Sequence, residues 1–234
     1  MKQSTQNPYK TRFSDASWAK SPKNVIIGGA GGIGSWLALY LARIGHSIHI
    51  FDPDEVNEVN LAGQLYGTSS ILTPKVMAIA EIVQDLSGET IHPYQEKYES
   101  DSVVCPFMFS AFDNMEARKT MFENWASNEE RELFVDGRMI AEVGMVYFVT
   151  KGNEDEYRKT LFSDSEVKEA PCSYKATSHC GAIIAGIMTS GLNNYIENSI
   201  YKLDIRKLPF KVDFQLPLLN FQNYSSHESI TQEV

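Results

Sequence analysis

The sequence predicts an α/β protein whose sheet is doubly wound and mostly parallel, with additional antiparallel strands toward the C-terminal end. Three observations carry this. A Gly-rich loop, Gly28-Gly29-Ala30-Gly31-Gly32-Ile33-Gly34, separates a short apolar run from a nearly all-apolar helical run. Two acids, Asp52 and Asp113, close later apolar runs, and the carboxyl ends of parallel strands are where open sheets bind ligands. Strand and helix patterns alternate along the chain, the order of a sheet wound by helices.

Taken in order, residues 1–20 read as a polar, flexible lead-in, and residues 21–234 as one domain. Residues 23–27 form a first buried strand, and 33–44 a buried helix stopped by Gly45. Residues 47–51 are a second strand ending at Asp52. Thr73 and Pro74 suit the N-cap and first position of a helix reaching Leu86. Residues 90–94 and 103–112 read as third and fourth strands, the latter ending at Asp113, and 114–126 as a helix. Later strands are expected at 133–136 and 144–150, a short helix at 155–162 and a loop over 166–179. Apolar residues at 183, 184, 187, 188 and 192 mark a helix over 180–195, and 210–221 gives one or two strands. This order describes a Rossmann-like sheet.

The chain has 234 residues and a net charge of -9, which argues against nucleic acid or an anionic membrane as partner. Residues 25–42 carry no charge, but five glycines fall within seven residues, which fits strand, loop and helix rather than a membrane span. No apolar leader opens the sequence. The three cysteines, Cys105, Cys172 and Cys180, form no Cys-x-x-Cys pair, so no zinc site and no disulfide framework are expected. These features predict a cytoplasmic protein.

The loop Gly29-x-Gly31-x-x-Gly34 lies between a strand and a helix, where backbone N–H groups and a helix N-terminus suit phosphate. Asp52, 18 residues beyond Gly34, suits the ribose hydroxyls. NAD and ATP fit these features equally. Lys75 as a phosphate cation and Asp113 as an acid for Mg²⁺ favour ATP.

The series Gly29-x-Gly31-Gly32-Ile33-Gly34-Ser35, Asp52-x-Asp54-x-Val56, Asn60-Leu61-x-x-Gln64, Pro74-Lys75 and Asp113-Asn114 resembles the ThiF/MoeB/HesA family, prokaryotic relatives of ubiquitin-activating enzymes. The resemblance spans residues 24–196. It implies that Gly29, Gly31, Gly32 and Gly34 cradle ATP phosphates and that Asp52, with Asp54 beside it, holds the ribose end. It implies that Asn60, Gln64 and Lys75 surround the triphosphate and that Asp113 binds Mg²⁺. The implied reaction is adenylation of the C-terminal carboxylate of a ubiquitin-like or sulfur-carrier protein, or a peptide, ending in Gly-Gly. A homodimer is implied as well. Cys172, in a region similar to one where many relatives carry a reactive cysteine, could accept the acyl group as a thioester or acyl-persulfide. Lys175 and His179 are its candidate neighbours, and an inert loop cysteine is the alternative. Cys180 and Cys105 read as core residues.

Three positions depart from the pattern. Gly63 stands where the family has Arg, Ser110 stands where an acid is common, and zinc-binding cysteine pairs are absent. Arg12, Arg118 or Arg138 could replace the cation missing at Gly63, Arg12 from a partner subunit as the resemblance to family homodimers implies. Asp136-Gly137-Arg138 reads as a strand end that contacts substrate or simply turns, and Glu142 is equally open. His46, His49, His92 and His227 have no ligand-like spacing. Two alternatives stand beside adenylation. An NAD-dependent oxidoreductase shares the Gly loop and Asp52 but leaves Asn60, Lys75 and Asp113 unexplained. A non-catalytic nucleotide-binding module is the other, motivated by Gly63.

Overall fold

A computed structural model of the chain describes residues 7–162 and 177–225. The strands are β1 (Asn24–Gly28), β2 (Ser47–Phe51), β3 (His92–Tyr94), β4 (Phe107–Ser110), β5 (Leu133–Ile140), β6 (Val143–Val149), β7 (Lys211–Gln215) and β8 (Asn220–Tyr224). The helices are α1 (Gly34–Ile44), α2 (Lys75–Ser87), α3 (Met115–Ser127), α4 (Glu154–Arg158) and α5 (Ser178–Tyr201). All eight strands share one sheet in the order β3-β2-β1-β4-β5-β6-β7-β8. The first five are parallel and the rest antiparallel. The predicted fold class is therefore the observed one. The order reverses between β1 and β4, the crevice where open sheets bind ligands.

β5 joins the two halves. Its first residues pair in parallel with β4, and Phe134 to Ile140 pair antiparallel with β6. Alternating side chains from β1, β2, β4 and β5 divide between two apolar layers. Val25, Ile27, Ile48, Ile50, Phe107 and Phe109 pack under α1, α2 and α5. Ile26, Met108 and Phe134 pack against Met121, Phe122 and Trp125 of α3 and Tyr157 of α4. Residues 25–42 resolve into β1, the Gly loop and α1. No helix among the described residues is long and apolar enough to cross a membrane.

Several boundaries move. Pro74 is extended (φ -52°, ψ 131°), so α2 starts at Lys75 and Thr73 is not its cap. β4 is shorter than residues 103–112, and Cys105 precedes it rather than lying within it. Its Sγ donates to the Phe107 carbonyl at 3.0 Å, and burial pushes the thiol up to about 11. Within the polar lead-in, Pro8–Phe13 and Trp18–Lys20 form 3-10 turns. Asn7 Nδ2 ties this stretch to the Ser87 carbonyl at 2.9 Å.

His46, in the turn into β2, is 3% exposed. Its Nδ1 accepts the Lys23 N–H at 3.0 Å, and Nε2 is buried without a partner. Burial, then the charges of Lys23 and Lys10, bring its pKa down to about 4. The unfolded chain takes up this proton near pH 6.5, the folded chain only near 4. Stability is therefore lost as pH falls through that window, by about 3 kcal/mol in full. His46→Asn, which keeps an acceptor for Lys23, is expected to flatten this loss. Urea unfolding at pH 7 and 4.5 checks it, and an unchanged pH dependence would contradict it.

Candidate functional site

The carboxyl ends of the central strands lie in register. Phe51 pairs with Gly28, Gly28 with Ser110, and Ser110 with Asp136. One residue further the ladder persists: Gly29 N–H donates to the Phe51 carbonyl, and Ala111 N–H to that of Gly28, both at 2.8 Å. The Gly loop rises from this edge. Gly29 has φ +92°, and a Cβ there would sit 2.8 Å from the Ala111 carbonyl oxygen. A Cβ on Gly34 would strike the Gly29 carbonyl oxygen. A Cβ on Gly31 would meet only the Gln64 Nε2, at 4.0 Å. Gly29 and Gly34 are thus required by the fold, whereas Gly31 leaves space above the backbone. Gly181, in the first turn of α5, packs against the Gly32 carbonyl.

Asp52 is 6% exposed and clamps the loop. Its Oδ2 accepts the Ala30 N–H at 2.8 Å, and its Oδ1 accepts the Asp54 N–H at 2.9 Å. Burial pushes its pKa up, against the charge of Lys75 and the two N–H bonds. Each oxygen keeps a lone pair for a ribose hydroxyl. Lys75, 7% exposed, does not point freely at the loop. Its Nζ lies 2.8 Å from Asp54 Oδ2 and 3.8 Å from Asp52 Oδ1. Tyr66 donates to the Ala30 carbonyl at 2.6 Å and the Lys75 carbonyl at 3.3 Å, joining loop to helix.

Asn60 ends a 3-10 turn, Glu58–Asn60, and its Oδ1 accepts the Asn57 N–H at 2.8 Å. Its carbonyl accepts the N–H groups of Gly63 and Gln64, so it also shapes the turn that delivers Gln64. Gln64 Oε1 is buried with no partner. An unpaired buried acceptor is costly, and a donor group on a ligand would satisfy it. The open space over Gly31 and this orphaned amide fit a nucleotide. Ser35 braces the same place: its Oγ donates to the Gly31 carbonyl at 2.7 Å and accepts the Leu65 N–H at 3.1 Å.

Asp113 follows β4 at the switch point and is exposed, beside Asn114, whose side chain accepts the Ala117 N–H and caps α3. No group of three metal-binding side chains occurs among the described residues. Mg²⁺ bound with nucleotide needs only one or two carboxylates, the phosphates supplying other ligands, so Asp113 fits that role.

The cation missing at Gly63 is not replaced by Arg118 or Arg138. Both are buried against Asp136, which lies within β5 and is neither a turn nor an exposed contact. Arg118 binds Asp136 Oδ1 and the carbonyls of Phe112 and Gly137. Arg138 donates to Asp136 Oδ2 at 2.7 Å and to Thr160, and stacks 4.5 Å from the Tyr147 ring centre. Tyr157 OH donates to Asp136 at 2.9 Å. Burial raises the Asp136 pKa, but the two guanidiniums and these bonds outweigh it and hold the carboxyl low. Arg12 belongs to the 3-10 turn beside the far end of α1, where Lys10 approaches Gly45.

Cys172, Lys175 and His227 lie outside the described residues. Cys180 is buried, and burial with the Glu142 charge pushes its thiol up to about 11. His179 Nε2 lies 3.0 Å from Glu142 Oε1. Tyr66 as a brace of the loop and the pairing of Arg118 with Asp136 were not legible in the sequence. The bond from Tyr66 to the Ala30 carbonyl spans 36 positions, and that from Arg118 to Asp136 spans 18.

The ThiF family profile matches residues 17–228. No curated protein sequence matches. Among solved structures, E. coli MccB is similar at a TM-score of 0.70 and 14% identity, covering 97% of this chain and 71% of that one. PaaA is similar at 0.67 and 18%, covering 89% and 65%. E. coli tRNA N6-threonylcarbamoyladenosine dehydratase, TcdA, is similar at 0.65 and 16%, covering 86% and 100%. This chain thus spans about two thirds of the length of PaaA and MccB. E. coli MccB has been crystallised with ATP, and with AMPCPP and MccA.

Proposed function

The chain belongs to the ThiF family, and from that premise we propose that it is an ATP-dependent adenylyltransferase acting on the carboxylate of a peptide or small carrier protein. The observation that carries this is the convergence of the Gly loop, Asp52, the orphaned Gln64 amide, Lys75 and Asp113 on one switch point. MccB with ATP and with AMPCPP and MccA adds support from a protein of the same fold.

In this reading the N–H groups of residues 31–34, at the α1 N-terminus, hold the phosphates, those of Gly29 and Ala30 being bonded to Phe51 and Asp52. Asp52 orients the ribose. Asp113 would hold Mg²⁺, which supplies charge neutralisation at the phosphates when bound. Lys75 balances Asp54 and Asp52 before ATP arrives and turns its charge toward the phosphates afterwards. A substrate carboxylate oxygen attacks the α-phosphorus, the bond from that phosphorus to the bridging oxygen breaks, and pyrophosphate leaves with its electron pair. The product is an acyl-adenylate. We further propose a carrier or peptide ending in Gly-Gly, a homodimer, one domain over residues 21–234 and, as a later step, transfer of the acyl group to Cys172.

ATP–pyrophosphate exchange tests the reaction. Label is expected to pass from pyrophosphate into ATP only with carboxylate substrate and Mg²⁺ present. Release of ADP and phosphate instead would sink the reading. For Cys172, intact mass after reaction should show a covalent adduct that Cys172→Ser removes while exchange continues.

A further inference from the structure

Beneath the proposed nucleotide site, the charges of Arg118, Asp136 and Arg138 are assigned no direct contact with ligand. They are among the most buried charges of the described residues: Asp136 is 0% and Arg118 4% exposed. The network has a direction. Arg138 is fixed from outside by Thr160 and by the Tyr147 ring. Arg138 and Tyr157 together occupy Asp136 Oδ2. Asp136 Oδ1 takes one arm of Arg118, and the other arm reaches the Phe112 carbonyl.

Phe112 is the residue before Asp113. Its ring fills the space where Gly28 has no Cβ, and its N–H nitrogen lies 3.3 Å from where a Gly29 Cβ would be. The peptide that Arg118 holds therefore joins the metal-site acid to the base of the phosphate loop. We propose that Arg118, locked by Asp136, is a positioning residue that sets the place of Asp113 relative to the Gly loop. The proposal rests on the reading of Asp113 given above.

A planar fork that bridges a carboxylate on β5 and a carbonyl after β4 cannot be matched by an ammonium, which is a point charge on a flexible stem. Arg118→Lys keeps the charge and loses the bridge. Asp136→Asn keeps the shape and loses the charge that orients the fork. Misplacement of a catalytic group by about 1 Å can cost roughly 10²-fold.

The test is a double-mutant cycle between position 118 and Asp113→Asn. It is read on Mg²⁺-dependent ATP affinity by calorimetry and on kcat and KM of exchange, in variants shown by thermal melting to be folded. In the wild-type background, Arg118→Lys is expected to lower kcat by roughly 10- to 10²-fold and to weaken the Mg²⁺-dependent part of ATP binding. ATP binding without Mg²⁺ should change little. In the Asp113→Asn background the same change is expected to cost less than about twofold. Should Arg118→Lys not fold, Asp136→Asn carries the same cycle. Equal losses in both backgrounds overturn the positioning role and leave the adenylation reading standing. ATP binding indifferent to both Mg²⁺ and Asp113→Asn overturns the reading of Asp113, and the proposal with it.

Discussion

Gly34→Ala is expected to weaken ATP binding by roughly 10²-fold and to destabilise the fold by a few kcal/mol. Gly34 is the first residue of α1, and a Cβ there would collide with the Gly29 carbonyl oxygen. The obstacle is backbone, so the loop itself must move. Gly29 has little freedom to yield, because the space where its Cβ would be is closed by the Ala111 carbonyl and its N–H is bonded to the Phe51 carbonyl. A loss of about 3 kcal/mol in binding corresponds to roughly 10²-fold in affinity. Gly31→Ala is the informative contrast. Its Cβ would meet only the Gln64 Nε2, at 4.0 Å, so the protein is expected to melt as the wild type does. ATP binding should nonetheless weaken, because the methyl enters the space that the proposed site gives to phosphate. Melting curves and calorimetry on the two variants separate a glycine required by the fold from one required by the ligand. Equal destabilisation by both would contradict this division.

Asp113→Asn is expected to lower exchange by roughly 10²-fold while changing stability by less than about 0.5 kcal/mol. Asp113 is exposed, and the cap of α3 is supplied by Asn114, so the fold does not depend on its charge. The acid matters because Lys75 is already shared between Asp52 and Asp54. With Gly63 in the neighbouring turn and with Arg118 and Arg138 held by Asp136, Lys75 is the cation among the described residues that stands beside the loop, against several acids. A polyphosphate bound there depends strongly on divalent cation. Initial rates across a Mg²⁺ series check this. The variant should need far more Mg²⁺ and should bind metal-free ATP as the wild type does. An unchanged Mg²⁺ dependence would contradict the assignment.

The parallel half of the sheet was legible because β1, β2, β4 and the start of β5 are short, largely apolar runs punctuated by glycine or acid. The two halves of the sheet and the Gly loop follow from those local patterns. Asp136-Gly137-Arg138 was misread because local pattern stops where polar residues begin. In the structure β5 runs on past them as the antiparallel partner of β6. Their charges are tolerated there because α3 supplies Arg118 and the segment around α4 supplies Tyr157 and Thr160. Spacings of this kind have no period, so nothing in the sequence announces them. The same holds for Tyr66, whose hydroxyl reaches back 36 residues to the Ala30 carbonyl. Thr73 was misplaced as a cap for a local reason: Pro74 adopts an extended ψ and delays the helix by one residue. Asp52 was found for its place at a strand end, but its bonds to Ala30 and Asp54 make it a brace of the loop as well.

The central claim is that this switch point binds ATP with Mg²⁺, and comparative thermal shift tests it most directly. A ligand of the folded state raises the melting temperature by mass action. ATP with Mg²⁺ is expected to stabilise the protein, with the Mg²⁺-dependent part lost in Asp113→Asn and the whole effect reduced in Gly31→Ala. NAD at the same concentration is expected to do little. Stabilisation by NAD that exceeds that by ATP with Mg²⁺ would contradict the account.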